Sequence, residues 1–353
     1  AELAALIGSQ TAQSNRNLVI NGAMNVAQRG TSSTSNLYGS VDRLSVQIAS
    51  LDELAFTQSQ IAVTDLAGFN NAFQYKTTTA ESAIASDELL YISYKSEAQD
   101  CQSFGFGLSS AKSITLSFYV KSSVTGTLSV NSYAADSNRV VASSYTISSA
   151  NTWERKTITF PGDTTGVIND DNGQGLWFDF MLAVGSAYKG NAATTWEGYA
   201  TDNWAGDGTF TDAILTTTNA TWAITGLQVE AGEVATPFEH RSIADDLALC
   251  ERYYQIASPL AGSGNSTNFK TTVSFKTAMR AEPTLSFTDN DFDVTDGHAS
   301  NYASTDANPS WDKYISHSGG VIATANHTSI SGDARRGTMV LNAVDDLQMD
   351  AEL

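Results

Sequence analysis

The sequence predicts an all-β protein of two jelly-roll-like β-sandwich domains joined by a short α-helix, with another short helix at the N-terminus. Three observations carry this. Apolar residues recur every second position in many short runs, as half-buried strands require. Gly, Pro and Asn signals separate the runs, and no helix-length pattern intervenes. The segment from Ile224 to Tyr254 then reads strand, turn, proline, helix, and divides two β-patterned regions. The expected organisation is an N-terminal helix or connector over 1–14 and a jelly roll over 15–240. A linker helix over 241–255 and a C-terminal sandwich over 256–353 follow.

Leu3, Leu6 and Ile7 place an apolar stripe on the N-terminal segment, too short to be stable alone. The clearest strand is Ser113 to Lys121, with Ile114, Leu116, Phe118 and Val120 inward and Thr115, Ser117, Tyr119 and Lys121 outward. Leu90, Ile92 and Tyr94 repeat the pattern, as do Leu128 with Val130 and Ile158 with Phe160. Phe178, Phe180 and Leu182 are opposed by Trp177 and Met181, which predicts burial on both faces of that strand. Trp222 and Ile224, then Leu227 and Val229, close the region. After Pro237, Ser242 reads as a helix N-cap with Asp245 three residues on. Ile243, Leu247, Cys250 and Tyr254 then define one apolar helix face. Shorter β-runs fill the rest, and Pro283 belongs at a strand start or edge.

The 353 residues suit roughly two domains, each large enough for its own core. Hydrophobic residues make up 41% and charged residues 16%, a globular composition with a neutral polar surface. The net charge of −19 argues against nucleic acid, which needs clustered Lys and Arg. It also argues against an anionic membrane surface. No stretch approaches the ~20 apolar residues of a membrane helix. Cys101 and Cys250 are read as buried thiols outside any redox or metal motif.

Motifs for catalysis are missing from the sequence. His240, His298, His317 and His327 show no metal-ligand spacing. There is no GxSxG nucleophile motif and no phosphate loop. A glycosidase carboxylate pair stays open, since acidic residues are plentiful. No cofactor is expected. Asn169 to Gly173 (NDDNG) with Asp163 hints at a calcium loop, against the plainer reading of an Asx-rich turn bonding its own backbone.

The sharper feature is aromatic. Tyr188 to Phe210 carries Trp196, Tyr199, Trp204 and Phe210 among Gly, Asn, Asp and Thr, without strand or helix period. Sugars stack apolar faces on such rings while polar side chains meet their hydroxyls. Trp196, Tyr199, Trp204 and Asp207 are therefore candidate glycan contacts. The competing reading, strongest for Trp196, is that rings pin a long loop to the core. A similar loop is expected over Gly297 to Ser318, where Tyr302, Trp311 and Tyr314 are further candidates. In an oligomer these rings could instead meet neighbouring subunits.

Several segments together resemble a known family. RNLVINGAMNVAQRG with VDRL, ITFPGDTTGVINDDNGQGLWFDFMLAVGS, GLQVEAGEVATPFEHRSIADDLALCERYY, MRAEPT and the ending MDAEL look like bacteriophage tail-fibre and appendage modules. The resemblance spans Asn15 to Leu353. It implies a virion fibre protein, commonly a homotrimer, whose first module is a carbohydrate-binding-module-like jelly roll. It also implies other virion proteins and a host-surface polysaccharide as partners, without nucleic acid or membrane insertion. There is no long N-terminal region like a tail-attachment domain, which leaves the point of attachment open. The alternatives are an architectural capsid or tail decoration, and a polysaccharide depolymerase.

Overall fold

The computed structural model describes residues 16–257 and, beyond them, 261–264, 268–287, 293–295, 301–303, 310–316, 320–326, 338–341 and 347–353. The expected helix over 1–14 lies outside the described residues. Two compact units divide the chain: 1–246 with Leu353, and 247–352.

The first unit is a jelly-roll β-sandwich. Its strands are β1 (Ser32–Ser33), β2 (Leu44–Ala49), β3 (Ala55–Ala62), β4 (Asn71–Thr79), β5 (Leu89–Glu97), β6 (Ile114–Ser122), β7 (Gly126–Ala134), β8 (Arg139–Ile147), β9 (Glu154–Phe160), β10 (Gln174–Val184), β11 (Glu197–Gly198) and β12 (Thr221–Ala231). One sheet has the order β1-β3-β4-β12-β6-β9 and the other β11-β8-β7-β10-β5-β2. All pairings are antiparallel.

The inward residues expected from periodicity form the core between the sheets. Ile114, Leu116, Phe118, Val120, Phe178, Phe180 and Leu182 belong to it, as does the fully buried Trp222. Burying each large apolar side chain is worth about 1.5–3 kcal/mol. The Trp222 indole N–H donates to the Tyr145 hydroxyl at 3.1 Å, so the polar edge of this buried ring is partnered. Thr115 and Ser117 were expected to face solvent, yet both are buried. The chain returning after β12 covers this end of β6, and the Thr115 hydroxyl donates to the Gly232 carbonyl at 2.7 Å.

β12 explains a phase change visible in the sequence. Trp222 and Ile224 point inward, and so do Leu227 and Val229. A period of two cannot serve both pairs without one inserted residue. The pairing with β6 shifts register between Thr225 and Gln228, and Gly226 sits there at φ +61°. Glycine reaches this conformation at no steric cost. A Cβ on Gly226 would lie 2.7 Å from the Phe69 ring and 2.9 Å from the Tyr119 ring.

The opening segment and the joint interlock. The Asn17 side chain donates to the Leu227 carbonyl and accepts from the Val19 and Val229 amides. Arg241 donates to the Asn17 and Val19 carbonyls. Helix α1 (Ile243–Cys250) follows, capped as expected by Ser242, whose hydroxyl accepts the Asp245 amide at 3.1 Å. Its buried face differs from expectation. Cys250 and Tyr254 are buried, but Ile243 is 64% exposed and Leu247 36%, while Asp246 is 4% exposed. Asp246 accepts the Asn21 amide and faces Arg241. That polar anchor, not the apolar spacing, sets the rotation of the first turn. Cys101 is buried, as is Cys250, and neither forms a disulfide.

The second unit is also β-rich. Strands Tyr254–Ala257, Leu347–Asp350 and Thr284–Phe287 form a three-stranded antiparallel sheet with Leu347–Asp350 central. A seven-stranded sheet runs in the order Asn301–Ala303, Asp293–Thr295, Thr338–Leu341, Ala261–Gly264, Asn268–Ser274, Gly320–Asn326, Ser310–Ser316.

Substituting Gly226→Ala should destabilise the protein by about 2–4 kcal/mol. Left-handed backbone costs ~1–2 kcal/mol for a residue with a Cβ, and overpacking against the two rings adds ~1–3. Urea unfolding of wild type and variant measures this. An unchanged midpoint would contradict the bulge assignment.

Candidate functional site

The site begins with strand β10, which is buried on both faces. Leu176, Phe178, Phe180 and Leu182 face the sandwich core. Trp177, Asp179 and Met181 alternate with them and face outward. Register places Trp177 between Lys95 of β5 and Tyr133 of β7. It places Asp179 between Ser93 and Asn131, and Met181 beside Tyr91. Gln47 of β2 extends the Tyr91 row and Ser45 the Ser93 row.

The loop from Gly185 to Asp212 folds over this face. It pairs with the β8 edge through β11, and the Tyr199 amide donates to the Asn138 carbonyl at 2.9 Å. Sheet side chains also hold it from below. Asn131 donates to the Trp204 carbonyl at 2.8 Å and Ser129 to the Ala205 carbonyl at 2.6 Å. A second apolar cluster results, with Met181, Leu89, Val140, Trp204 and Phe210.

Where the loop leaves the sheet open there is a pocket of about 360 Å3, near the lower end of the ~300–1,000 Å3 range of small-ligand sites. Tyr91, Tyr133, Trp177, Tyr188, Tyr199 and Trp204 line it, with Gln47, Ala49 and Leu89 along one side. The rings meet steeply rather than lying flat. Trp177 and Trp204 are 6.4 Å apart at 84°, Tyr199 and Trp204 5.2 Å at 87°, and Tyr133 and Trp177 4.9 Å at 63°. Such edge-to-face pairs are favourable beyond their buried area, so the rings brace one another.

Asp179 lies beneath these rings with no exposed surface. Neither carboxylate oxygen accepts a hydrogen bond, and the Ser93 hydroxyl and Asn131 Oδ1 in the same row are likewise unpartnered. Ser93 lies close enough to favour the charge without bonding geometry to either oxygen. Burial pushes Asp179 up to about 7, against smaller opposing effects of Ser93 and Lys95. Burial, with some help from Asp179, also raises Tyr91.

The expected contacts divide. Tyr199 and Trp204 line the pocket. Asp207 is exposed on the loop and is not among the lining residues. Trp196 belongs to the sandwich core: its indole N–H donates to the Pro161 carbonyl and its ring packs edge-on against Phe106 at 5.2 Å. It anchors the loop instead of joining the pocket. In the second unit, Tyr302 falls in strand Asn301–Ala303 and Trp311 and Tyr314 in strand Ser310–Ser316, so the expected loop is partly strand. The side chains of these three lie outside the described residues. Sequence reading missed Tyr91, Tyr133, Trp177, Tyr188 and Asp179 as site residues. For all but Tyr188, which sits in the turn after β10, the available signal was aromatic or acidic residues at outward positions of strands whose inward positions are apolar.

At the suggested calcium loop, the Asp163 carboxylate pairs with Arg139 at 2.6 Å. Asp171 accepts the Gly173 amide at 2.8 Å, an Asx turn. Among the described residues, Asp52, Glu81 and Glu88 are grouped closely enough to share an ion. The Glu53 amide already donates to the Glu81 carboxylate and the Ala85 amide to the Glu88 carboxylate.

No family model matches the chain, and no curated protein sequence does. Among solved structures, it is similar to the enzymatically active domain of tailspike protein 4 of bacteriophage CBA120, at 12% identity and a TM-score of 0.32 over 61% of this chain and 21% of that one. The match therefore spans about a fifth of that tailspike domain. It is also similar to the family 11 carbohydrate-binding module of a Clostridium thermocellum cellulosomal cellulase, at 12% identity and a TM-score of 0.29 over 60% and 98% of the two chains. A tandem CBM22 domain from Paenibacillus barcinonensis aligns over 97% and 99%, at 9% identity and a TM-score of 0.30. At these TM-scores the likeness carries no argument about function.

Asp179→Asn should raise the melting temperature at pH 8 and change it little at pH 4. The folded-state value of about 7 lies above the unfolded value near 3.9. The native state thus holds an extra proton between the two, and stability falls as pH rises through that window. Above it the buried charge carries its full cost, on the order of 4 kcal/mol at ~1.36 kcal/mol per unit. The neutral amide removes that cost. A variant less stable than wild type at pH 8 would refute the assignment.

Proposed function

We propose that the chain is a non-catalytic glycan-binding component of a phage virion, acting in host-surface adsorption. The observation that carries the binding is the pocket: six aromatic rings over an outward sheet face, with the Gln47 amide and tyrosine hydroxyls at its walls. Ring faces exclude water from the apolar side of a sugar, and the polar groups meet its hydroxyls. The sequence resemblance to fibre modules supports an exposed virion position and a homotrimer. Weak contacts repeated across copies would then supply strength through effective concentration. Calcium in the Asn169–Gly173 loop stays a separate, secondary proposal.

Two readings compete. An architectural decoration protein would use the same rings as subunit contacts. A depolymerase would release reducing ends from the polysaccharide it binds.

Tyr199, 40% exposed, is the wall ring whose loss least endangers folding. Tyr199→Ala should weaken glycan binding about tenfold, since a stacked ring is worth on the order of 1–1.5 kcal/mol, and leave the melting temperature nearly unchanged. A glycan array followed by calorimetry with the best ligand measures both. Binding identical to wild type would remove the pocket from the mechanism. Reducing-end release from the bound polysaccharide would replace adsorption with hydrolysis.

A further inference from the structure

Resting on the reading of the pocket as a glycan site, we infer that it selects a quaternary ammonium group, a choline-type substituent carried on the surface glycan. Three features of the geometry support this. The first is ring orientation. Flat platforms of coplanar rings suit the extended face of a sugar. Here Trp204 meets Trp177, Tyr199 and Tyr91 at 84°, 87° and 67°, so ring planes close around the space from different directions. A methylated ammonium is roughly spherical and weakly hydrated, and it is attracted by every ring face at once.

The second feature is Asp179. It sits in the outward row directly between the Trp177 and Met181 positions of β10, under the ring cluster. The Trp204 backbone is tied to its neighbour Asn131. Both carboxylate oxygens are fully buried without partners. A negative charge behind the rings, in a region of low dielectric, adds its field to theirs with little screening. Its charged neighbour on β5 is Lys95; β7 presents Asn131 and Tyr133, and the loop presents Tyr188, Tyr199 and Trp204, all neutral. No residue lining the pocket carries a charge, and the cation close to the wall is Lys95, beside Trp177.

The third feature is that one of these rings already attracts a cation. The Lys95 ammonium lies 4.1 Å from the Trp177 ring centroid. Lys95 reaches one ring at the margin and is not part of the lining; the other rings stay available to a ligand.

The test uses the full chain at pH 8 and low salt, where Asp179 is ionised. Choline chloride and its neutral isostere 3,3-dimethylbutan-1-ol are titrated, followed by calorimetry and tryptophan fluorescence. Neutral oligosaccharides are titrated in parallel. Choline should bind at least tenfold more tightly than the isostere. Asp179→Asn, which retains shape, should reduce that preference about fivefold. Lys95→Gln removes the resident cation and should strengthen choline binding severalfold without affecting the isostere; it serves as the second variant should Asp179→Asn misfold.

Equal binding of choline and isostere, or a preference for the isostere, overturns the inference. Binding of neutral sugars without choline preference does so too while leaving the glycan reading intact. Choline binding without any sugar binding upholds the cation site and removes the glycan reading. Binding of neither removes both.

Discussion

The two-sided burial of β10 is the constraint on which the first unit depends. Its inner residues fill the sandwich. Its outer residues, Trp177, Asp179 and Met181, would leave a large apolar and acidic surface if the sheet faced water. The loop over 185–212 resolves this by crossing the sheet, and the sheet's own Asn131 and Ser129 side chains fix the loop backbone. Cover and covered surface therefore specify each other. The pocket is the part of that surface the loop does not reach.

This arrangement has an electrostatic consequence. Most of the acidic side chains among the described residues are not buried, and screening limits their reach. Asp179 differs because it is sealed under rings and main chain, where an unpartnered carboxylate is costly. Such a group is retained at the expense of stability, and perturbed carboxyls of this type concentrate at functional sites. The same low dielectric that penalises the charge makes it felt by whatever occupies the pocket. Elsewhere in the unit particular buried groups are bridged: Asn17 joins the opening segment and β12, and Arg139 joins Asp163 to the Trp196 carbonyl.

The loop shows why aromatic residues cannot be sorted by sequence alone. Trp196 and Trp204 have similar neighbours in the chain: small and polar residues, no period. Trp196 lies just before the two-residue strand β11 and turns into the core beside Phe106. Trp204 lies after the next turn and faces Tyr133 and Tyr199. They lie eight positions apart, but the direction of each ring depends on where the loop rejoins β8. The helix after the sandwich makes the same point. Spacing assigned Ile243 and Leu247 to the packed face, and the ion-pairing of Asp246 with Arg241 turned them outward.

Alternation, turn residues and the Ser242 cap signal determined the all-β class, the core faces of the main strands and the start of the helix; the bulge in β12 emerged only from its pairing with β6. The first three follow from local rules, because side-chain direction along a strand is set by its two nearest neighbours in sequence. Strand adjacency decided the rest. Tyr91, Tyr133 and Trp177 lie on β5, β7 and β10, which are far apart in the chain and become neighbours only when the second sheet assembles. A site built across strands is a property of their order in space, and no local pattern encodes that order.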